Sequence, residues 1–222
     1  MRILCISDIH GHADALEQVL ALGTMNGCTV VLVAGDLCFP GPEPLRTWKL
    51  LVAARAHLVQ GVSDRALATL DPDALRPAND EERARVERMR ACRKELGDVI
   101  LARLARLPST FRLATEDGGE VLVVHGSPAD PMTPITHDQD DSEVSALLGD
   151  EAADVIVCGA SHVPFERALP PVRIVGVGSV GEAPTPGLAH ATVLETSPAG
   201  VDVRSLGVVL KSDRSLARGG DE

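Results

Sequence analysis

Aspartate and histidine recur in this chain at one kind of place, directly after an apolar run. Asp8 and His10 follow ILCIS, Asp36 follows VVLVAG, Asp64 follows LVQGVS, His125 follows EVLVV, and His162 follows DVIVCGAS. A glycine stands beside each of these positions: Gly11, Gly35, Gly61, Gly126 and Gly159. Glycine lets the backbone approach a ligand closely or take a positive φ. One such coincidence means little, but the ordered set is a strong signal. Aspartate and histidine together form a mixed oxygen and nitrogen ligand set. It suits Mn, Fe, Zn, Ni or Co better than Mg or Ca, which prefer all-oxygen shells. In an extended segment, Asp8-Ile9-His10 sends both polar side chains to one face, because the side-chain period is two.

The elements that must hold these residues read as α/β. Strands are expected over 2–7, 29–34 and 57–59, with helices over 13–22 and 45–54 between and after them. The ends of α/β strands are where loops converge on a rigid sheet and form ligand sites. Residues 71–80 (DPDALRPAND) read as a Pro-punctuated acidic connection. Residues 81–107 read as a helical stretch broken near Gly97, highly charged and thinly apolar, and so a solvated cap or surface helix. Strand signals then dominate, over 111–113, 120–124, 154–157, 172–177, 191–194 and 201–205, with one short helix over 142–148. The expectation is two sheets packed face to face with helices outside. Residues 1–210 would form a single domain, with 71–107 as a charged helical cap and 211–222 as a flexible tail.

Composition narrows the partners. At 222 residues, 45% hydrophobic and 24% charged, the chain reads as globular and not disordered. Aromatics are 2%, so the core is aliphatic and platforms for stacking bases are scarce. The net charge of −11, from 21 basic and 32 acidic residues, repels phosphate backbones and argues against long nucleic acids. If the protein handles phosphate, a bound metal is the natural source of positive charge. No apolar run approaches the ~18–20 residues of a membrane span, and no leader pattern stands at the start. Five widely spaced cysteines without C-x-x-C read as buried hydrophobes in a reducing, cytoplasmic setting.

The blocks Asp8-Ile9-His10, Gly35-Asp36, Gly61-Val62-Ser63-Asp64, His125-Gly126 and Gly159-Ala160-Ser161-His162 resemble, in this order, those of the calcineurin-like metallophosphoesterase superfamily. There the corresponding blocks are D-x-H, G-D, G-N-x-D, H-G and G-H-x-H. Gly178-Ser179-Val180-Gly181 also resembles a segment of its small bacterial and archaeal phosphodiesterases, and the likeness spans residues 2–205. The resemblance implies a four-layer α/β/β/α sandwich of two mixed sheets, with the metal site at the C-terminal ends of the strands. It implies a first metal on Asp8, His10, Asp36 and His162, with Asp36 bridging to a second that also takes His125.

Two positions depart from the pattern. Val62 stands where the family has Asn, and Ala160 where it has the first His of G-H-x-H, both second-metal ligands. Neither side chain can donate a lone pair. One tightly bound ion and a weakened second site are therefore expected, with Ser63, Asp64, Ser161 or water as nearby substitutes.

The activity implied is hydrolysis of small phosphodiesters or nucleotides by a metal-activated hydroxide, with manganese among the candidate ions. Arg65 reads as a phosphate clamp or as an ion-pair partner of Asp64. His12 reads as a proton donor or simply the head of the first helix. Ser63 takes the place of a leaving-group acid found in some branches, which favours good leaving groups. A homo-oligomer is compatible with all of this. The competing expectation is a catalytically degenerate member that serves as a protein-binding scaffold.

Overall fold

The runs VVLV, VLVV and VIVC carry no polar residue because both faces of their sheets are covered. The computed structural model describes residues 1–211. Its elements are β1 (Arg2–Ile6), α1 (Ala13–Met25), β2 (Val30–Val33), α2 (Pro44–Ala53), β3 (His57–Leu58), α3 (Val62–Thr69), α4 (Asp80–Leu104), β4 (Thr110–Ala114), β5 (Glu120–Val124), α5 (Asp141–Leu148), β6 (Val155–Cys158), β7 (Pro164–Leu169), β8 (Val172–Val177), β9 (Leu188–Ser197) and β10 (Gly200–Val209).

Two five-stranded sheets result, ordered β10-β9-β1-β2-β3 and β4-β5-β6-β8-β7. Both are mixed. In the first, β1, β2 and β3 run parallel and β9 is antiparallel to both β1 and β10. In the second, β5, β6 and β8 run parallel between antiparallel β4 and β7.

The period of two along each strand builds the layers. Ile3, Cys5, Leu32, Val121, Val123, Val157, Val175 and Leu194 fill the space between the sheets. Their alternates Leu4, Ile6 and Val33 face the helical layer, where they meet Leu16, Val19 and Leu51. On the far side, Leu122, Val124, Ile156 and Ile174 face Val144 and Leu148 of α5. This is the α/β/β/α arrangement. All five cysteines are free thiols; Cys28 is half-buried and the others are buried. Among the described residues no helix is long and apolar enough to cross a membrane.

Three features differ from the expectation. α3 and β7 were not foreseen. α3 hides behind a turn-like sequence, VSDRALAT, and β7 is an edge strand begun by a proline. The charged segment is helical over Asp80–Leu104 with the expected break at Gly97 (φ 70, ψ 167), and it is the packing that differs. Its acidic and basic residues face solvent, but Met89, Cys92 and Leu96 form a narrow stripe at helical spacing that is buried in the core beneath. The segment is therefore packed as well as solvated. The tail expected over 211–222 lies outside the described residues except for Lys211, whose amide donates to Gln18 Oε1 at 2.9 Å.

Leu104 is fully buried on α4 and Val99 is 72% exposed on the same helix. Leu104→Ala is expected to cost about 2–5 kcal/mol in urea unfolding. Val99→Ala should stay within about 0.5 kcal/mol. Equal effects would mean α4 does not pack on the core.

Candidate metal centre

β1 and β2 lie side by side in parallel, Ile6 opposite Val33, so the loops that leave them are neighbours. The two loops are laced together. Asp8 N donates to Gly35 O at 3.1 Å, His10 N to Asp36 O at 2.9 Å and Gly11 N to Leu37 O at 2.9 Å. The other sheet repeats the device. β5 and β6 run parallel with Val124 opposite Cys158, and Gly159 N donates to His125 O at 2.9 Å. Each sheet thus offers two loops to the same rim.

Backbone strain is concentrated there. Asp8 (φ 53), His10 (φ 51), Asp36 (φ 55), Ala160 (φ 61) and His162 (φ 58) are all left-handed, and Arg55 is the only other non-glycine so placed among the described residues. Such residues are uncommon and gather at functional sites. A Cβ at Gly61 would overlap the amide nitrogen and Oδ1 of Asp36, so only glycine fits.

The side chains converge. His162 Nε2 lies 3.1 Å and His10 Nε2 3.7 Å from Asp8 Oδ1. His10 Nε2 is also 3.8 Å from Asp36 Oδ2 and 3.3 Å from His162 Nε2. His125 Nε2 is 3.5 Å from Asp36 Oδ1. Two donor groups follow, Asp8–His10–His162 and Asp8–Asp36–His125, with ligand atoms within 4.8 Å of one another in each.

The histidines are aimed. His10 Nδ1 meets Phe39 O at 2.6 Å and His125 Nδ1 meets Ala34 O at 2.6 Å. A carbonyl accepts only from a protonated Nδ1, so in the neutral ring each Nε2 lone pair faces the cluster. Asp8 Oδ2 accepts from Ala160 N at 3.0 Å, while the buried Asp8 Oδ1 has no backbone donor and only imidazole nitrogens beside it. A bare carboxylate oxygen faced by imidazole nitrogens fits a divalent transition metal.

The electrostatics agree. Burial works to raise Asp8, but His10, His162 and His125 hold it well below the usual carboxylate range. Burial works to lower His10, but Asp8, Asp36, the Phe39 carbonyl and Glu182 raise it to about 9. Asp8 likewise raises His162. Asp64 is raised to about 6, by burial and then by the Asp36 carboxylate.

Asp64 is not a spare ligand. Its Oδ2 accepts from Asp36 N at 2.9 Å and Gly61 N at 3.0 Å, and its Oδ1 from Leu37 N at 3.0 Å. It braces the two loops. Ser161 Oγ donates to Val163 O at 3.1 Å. Ser63 gives its amide to Asp36 Oδ1 at 2.8 Å, and its buried Oγ has no partner. The second donor group includes Asp8, where the resemblance supplied only Asp36 and His125.

A cavity of about 490 Å³ opens above the cluster, lined at its floor by His10, Asp36, Ser63 and Glu182. Val62 also lines it, as the first residue of α3. Arg65 is exposed and does not line it; the lining cations are Arg76 and Arg85. His12 heads α1, half-buried, and lines neighbouring depressions instead. Glu182 escaped sequence reasoning. Its carboxylate lies 3.6 Å from His10 Nε2, and its amide is held by Ser179 Oγ at 2.7 Å. Its only signal was a place directly after Gly178-Ser179-Val180-Gly181.

A histidine raised from 6.5 to about 9 stabilises the fold fully below pH 6.5 and loses that contribution as pH climbs through 9. Chelator-treated protein should therefore lose thermal stability across this window. Added Mn should flatten the loss by taking the place of the proton at Nε2. A chelated protein whose melting temperature is constant from pH 6.5 to 9 would contradict the assignment.

A family profile described as the calcineurin-like phosphoesterase superfamily domain matches residues 1–198. No curated protein matches the chain. Among solved structures, the chain is similar to hypothetical protein PH1004 from Pyrococcus horikoshii OT3, with 19% identity, TM-score 0.81, and coverage of 98% of this chain and 91% of that one. It is similar to a metallophosphoesterase from Sphaerobacter thermophilus, with 23% identity, TM-score 0.72, and coverage of 93% and 88%. A novel archaeal phosphodiesterase follows at 15% identity, TM-score 0.54, with coverage of 94% and 100%. At these identities the likenesses establish the fold, and the profile match carries the family. The chain belongs to the calcineurin-like phosphoesterase superfamily.

Proposed function

We propose that this protein is a metal-dependent phosphoesterase acting on small phosphodiesters, with one firmly held divalent cation and a weaker second. The observation that carries the reading is the buried Oδ1 of Asp8, without a backbone donor and faced by the Nε2 atoms of His10 and His162. Asp8, His10 and His162, with Asp36 beside them, would hold the first cation. Asp8, Asp36 and His125 would hold the second, poorer by the two side chains that Val62 and Ala160 do not provide. The donor set suits Mn, Fe, Zn, Ni or Co. When bound, such a cation supplies an acidified water and a Lewis acid for a phosphoryl oxygen.

The chain's own residues supply position. Phe39 O and Ala34 O fix the orientation of His10 and His125. Asp64 locks the Asp36 loop against Gly61 through three amides. Ser63 lines the cavity floor and gives its amide to Asp36 Oδ1, while its Oγ is buried. A hydroxyl is a weak acid near neutral pH, so esters with good leaving groups are favoured. The free thiols support a cytoplasmic location.

The test is metal analysis of purified protein together with turnover of bis(4-nitrophenyl) phosphate in Mn, Ni, Co and Zn. Near one tightly held ion per chain and metal-dependent turnover are expected. Asp36→Asn should lose more than the ~10- to 100-fold that follows loss of a residue that merely orients a ligand. Full occupancy without turnover in any of the metals would sink the enzymatic reading.

A further inference from the structure

The cavity that starts at the metal-binding residues continues well beyond them. At about 490 Å³ it has the size of a small-molecule site, far more than one phosphate occupies. Above the floor its wall comes from α3, α4 and the connection between them. These contribute Val62, Ala66, Leu70, Leu75, Val86 and Met89. Leu70 is 42% exposed, a large apolar side chain left open to solvent on this wall.

Two of the wall's polar groups are engaged locally, and Arg85 makes no hydrogen bond or ion pair among the described residues. Glu82 accepts from Ala78 N at 2.7 Å and Asn79 Nδ2 at 3.1 Å. Arg76 donates to the carbonyls of Asp73 and Leu75, both at 3.1 Å. Phe39 is the one aromatic residue among those lining the cavity. It is buried, and the Arg85 guanidinium lies 5.6 Å from its ring centroid. A nucleobase would find no open Phe, Tyr or Trp face to stack on, and Arg85 as the wall's one uncommitted polar side chain to meet its polar edge.

Resting on the phosphoesterase reading above, we propose that the ester group beside the reacting phosphorus is apolar. It is an alkyl or aryl group packed against Val62, Ala66, Val86 and Met89, and nucleotidyl esters are poor substrates. Val62 is central to this. It stands next to the cluster, and a polar side chain there would break the continuity of the wall with the floor.

The experiment compares the methyl, butyl and octyl 4-nitrophenyl phosphodiesters with the 4-nitrophenyl ester of thymidine 5′-phosphate, using Mn-loaded protein. Along the alkyl series kcat/KM should rise about two- to fourfold per methylene until the wall is filled. The thymidine ester should do no better than the methyl ester. Val86→Asp should flatten the series and Val86→Leu should keep it. The series on unaltered protein decides the matter even if a variant fails to fold.

Calorimetric binding of octyl and methyl phosphate to the same protein separates the two readings. Equal rates across the series, or a preference for the thymidine ester, overturn the apolar wall and leave the phosphoesterase intact. No turnover of any ester, with octyl phosphate binding at least about tenfold tighter than methyl phosphate, keeps the wall and removes the enzyme. No turnover with equal affinities removes both.

Discussion

Three carboxylates, Asp8 and Asp36 in the loops that leave β1 and β2 and Asp64 in the first turn of α3, are buried together, and their mutual repulsion is the constraint around which the rest is arranged. Two unit charges about 4 Å apart interact with about 4 kcal/mol at an effective dielectric near 20. That is comparable with the whole net stability of many domains, about 5–15 kcal/mol. The fold answers with backbone donors. Three amides meet Asp64, one meets Asp36 and one meets Asp8. What the backbone leaves bare is Asp8 Oδ1, at the corner where His10 and His162 also turn their free nitrogens. A single cation held there would relieve the repulsion and satisfy that oxygen at once.

The strained loops follow from the same demand. Placing donors from four strand ends around one point requires the chain to turn sharply right after each strand. That requirement explains left-handed Asp8, His10, Asp36 and His162, residues whose short polar or imidazole side chains tolerate this conformation better than most. It explains Gly61 as well, since the Asp36 amide occupies the space a side chain would need.

How much of this was legible in the sequence depended on whether a signal was local. Apolar runs covered on both faces announced β2, β5 and β6, and the Asp and His after them announced the cluster, because strand ends and site loops are contiguous in the chain. α3 was hidden because Gly61-Val62-Ser63-Asp64 reads as a turn, and that omission misleads about Arg65. In a helix beginning at Val62, consecutive residues are separated by about 100°. Ser63, Asp64 and Leu67 therefore point inward while Arg65 and Thr69 face solvent. Adjacency to Asp64 in sequence gives no proximity to its carboxylate. α4 was legible as a helix with a break at Gly97. Its packing was not, because three inward residues, Met89, Cys92 and Leu96, are easily outvoted by the charges around them. Glu182 was illegible for a different reason: its closeness to His10 depends on Ser179 tying that turn to Asp8, a contact across 171 residues.

The scaffold reading must account for the same constraint without a cation. A chain that only docked partners would gain nothing from a buried carboxylate oxygen with no backbone donor, nor from left-handed backbone at four of its clustered Asp and His residues. Each is destabilising, and each is removed by a single ordinary substitution. Val62 and Ala160 weigh less than they do on paper, because the second donor group gains Asp8 from the geometry. Val62 has a further place in the cavity wall, beside Ser63 and above Asp36. On the proposed reading, a ligand lost at that position is apolar surface gained next to the cluster, and the departure from the family pattern changes what the site would accept.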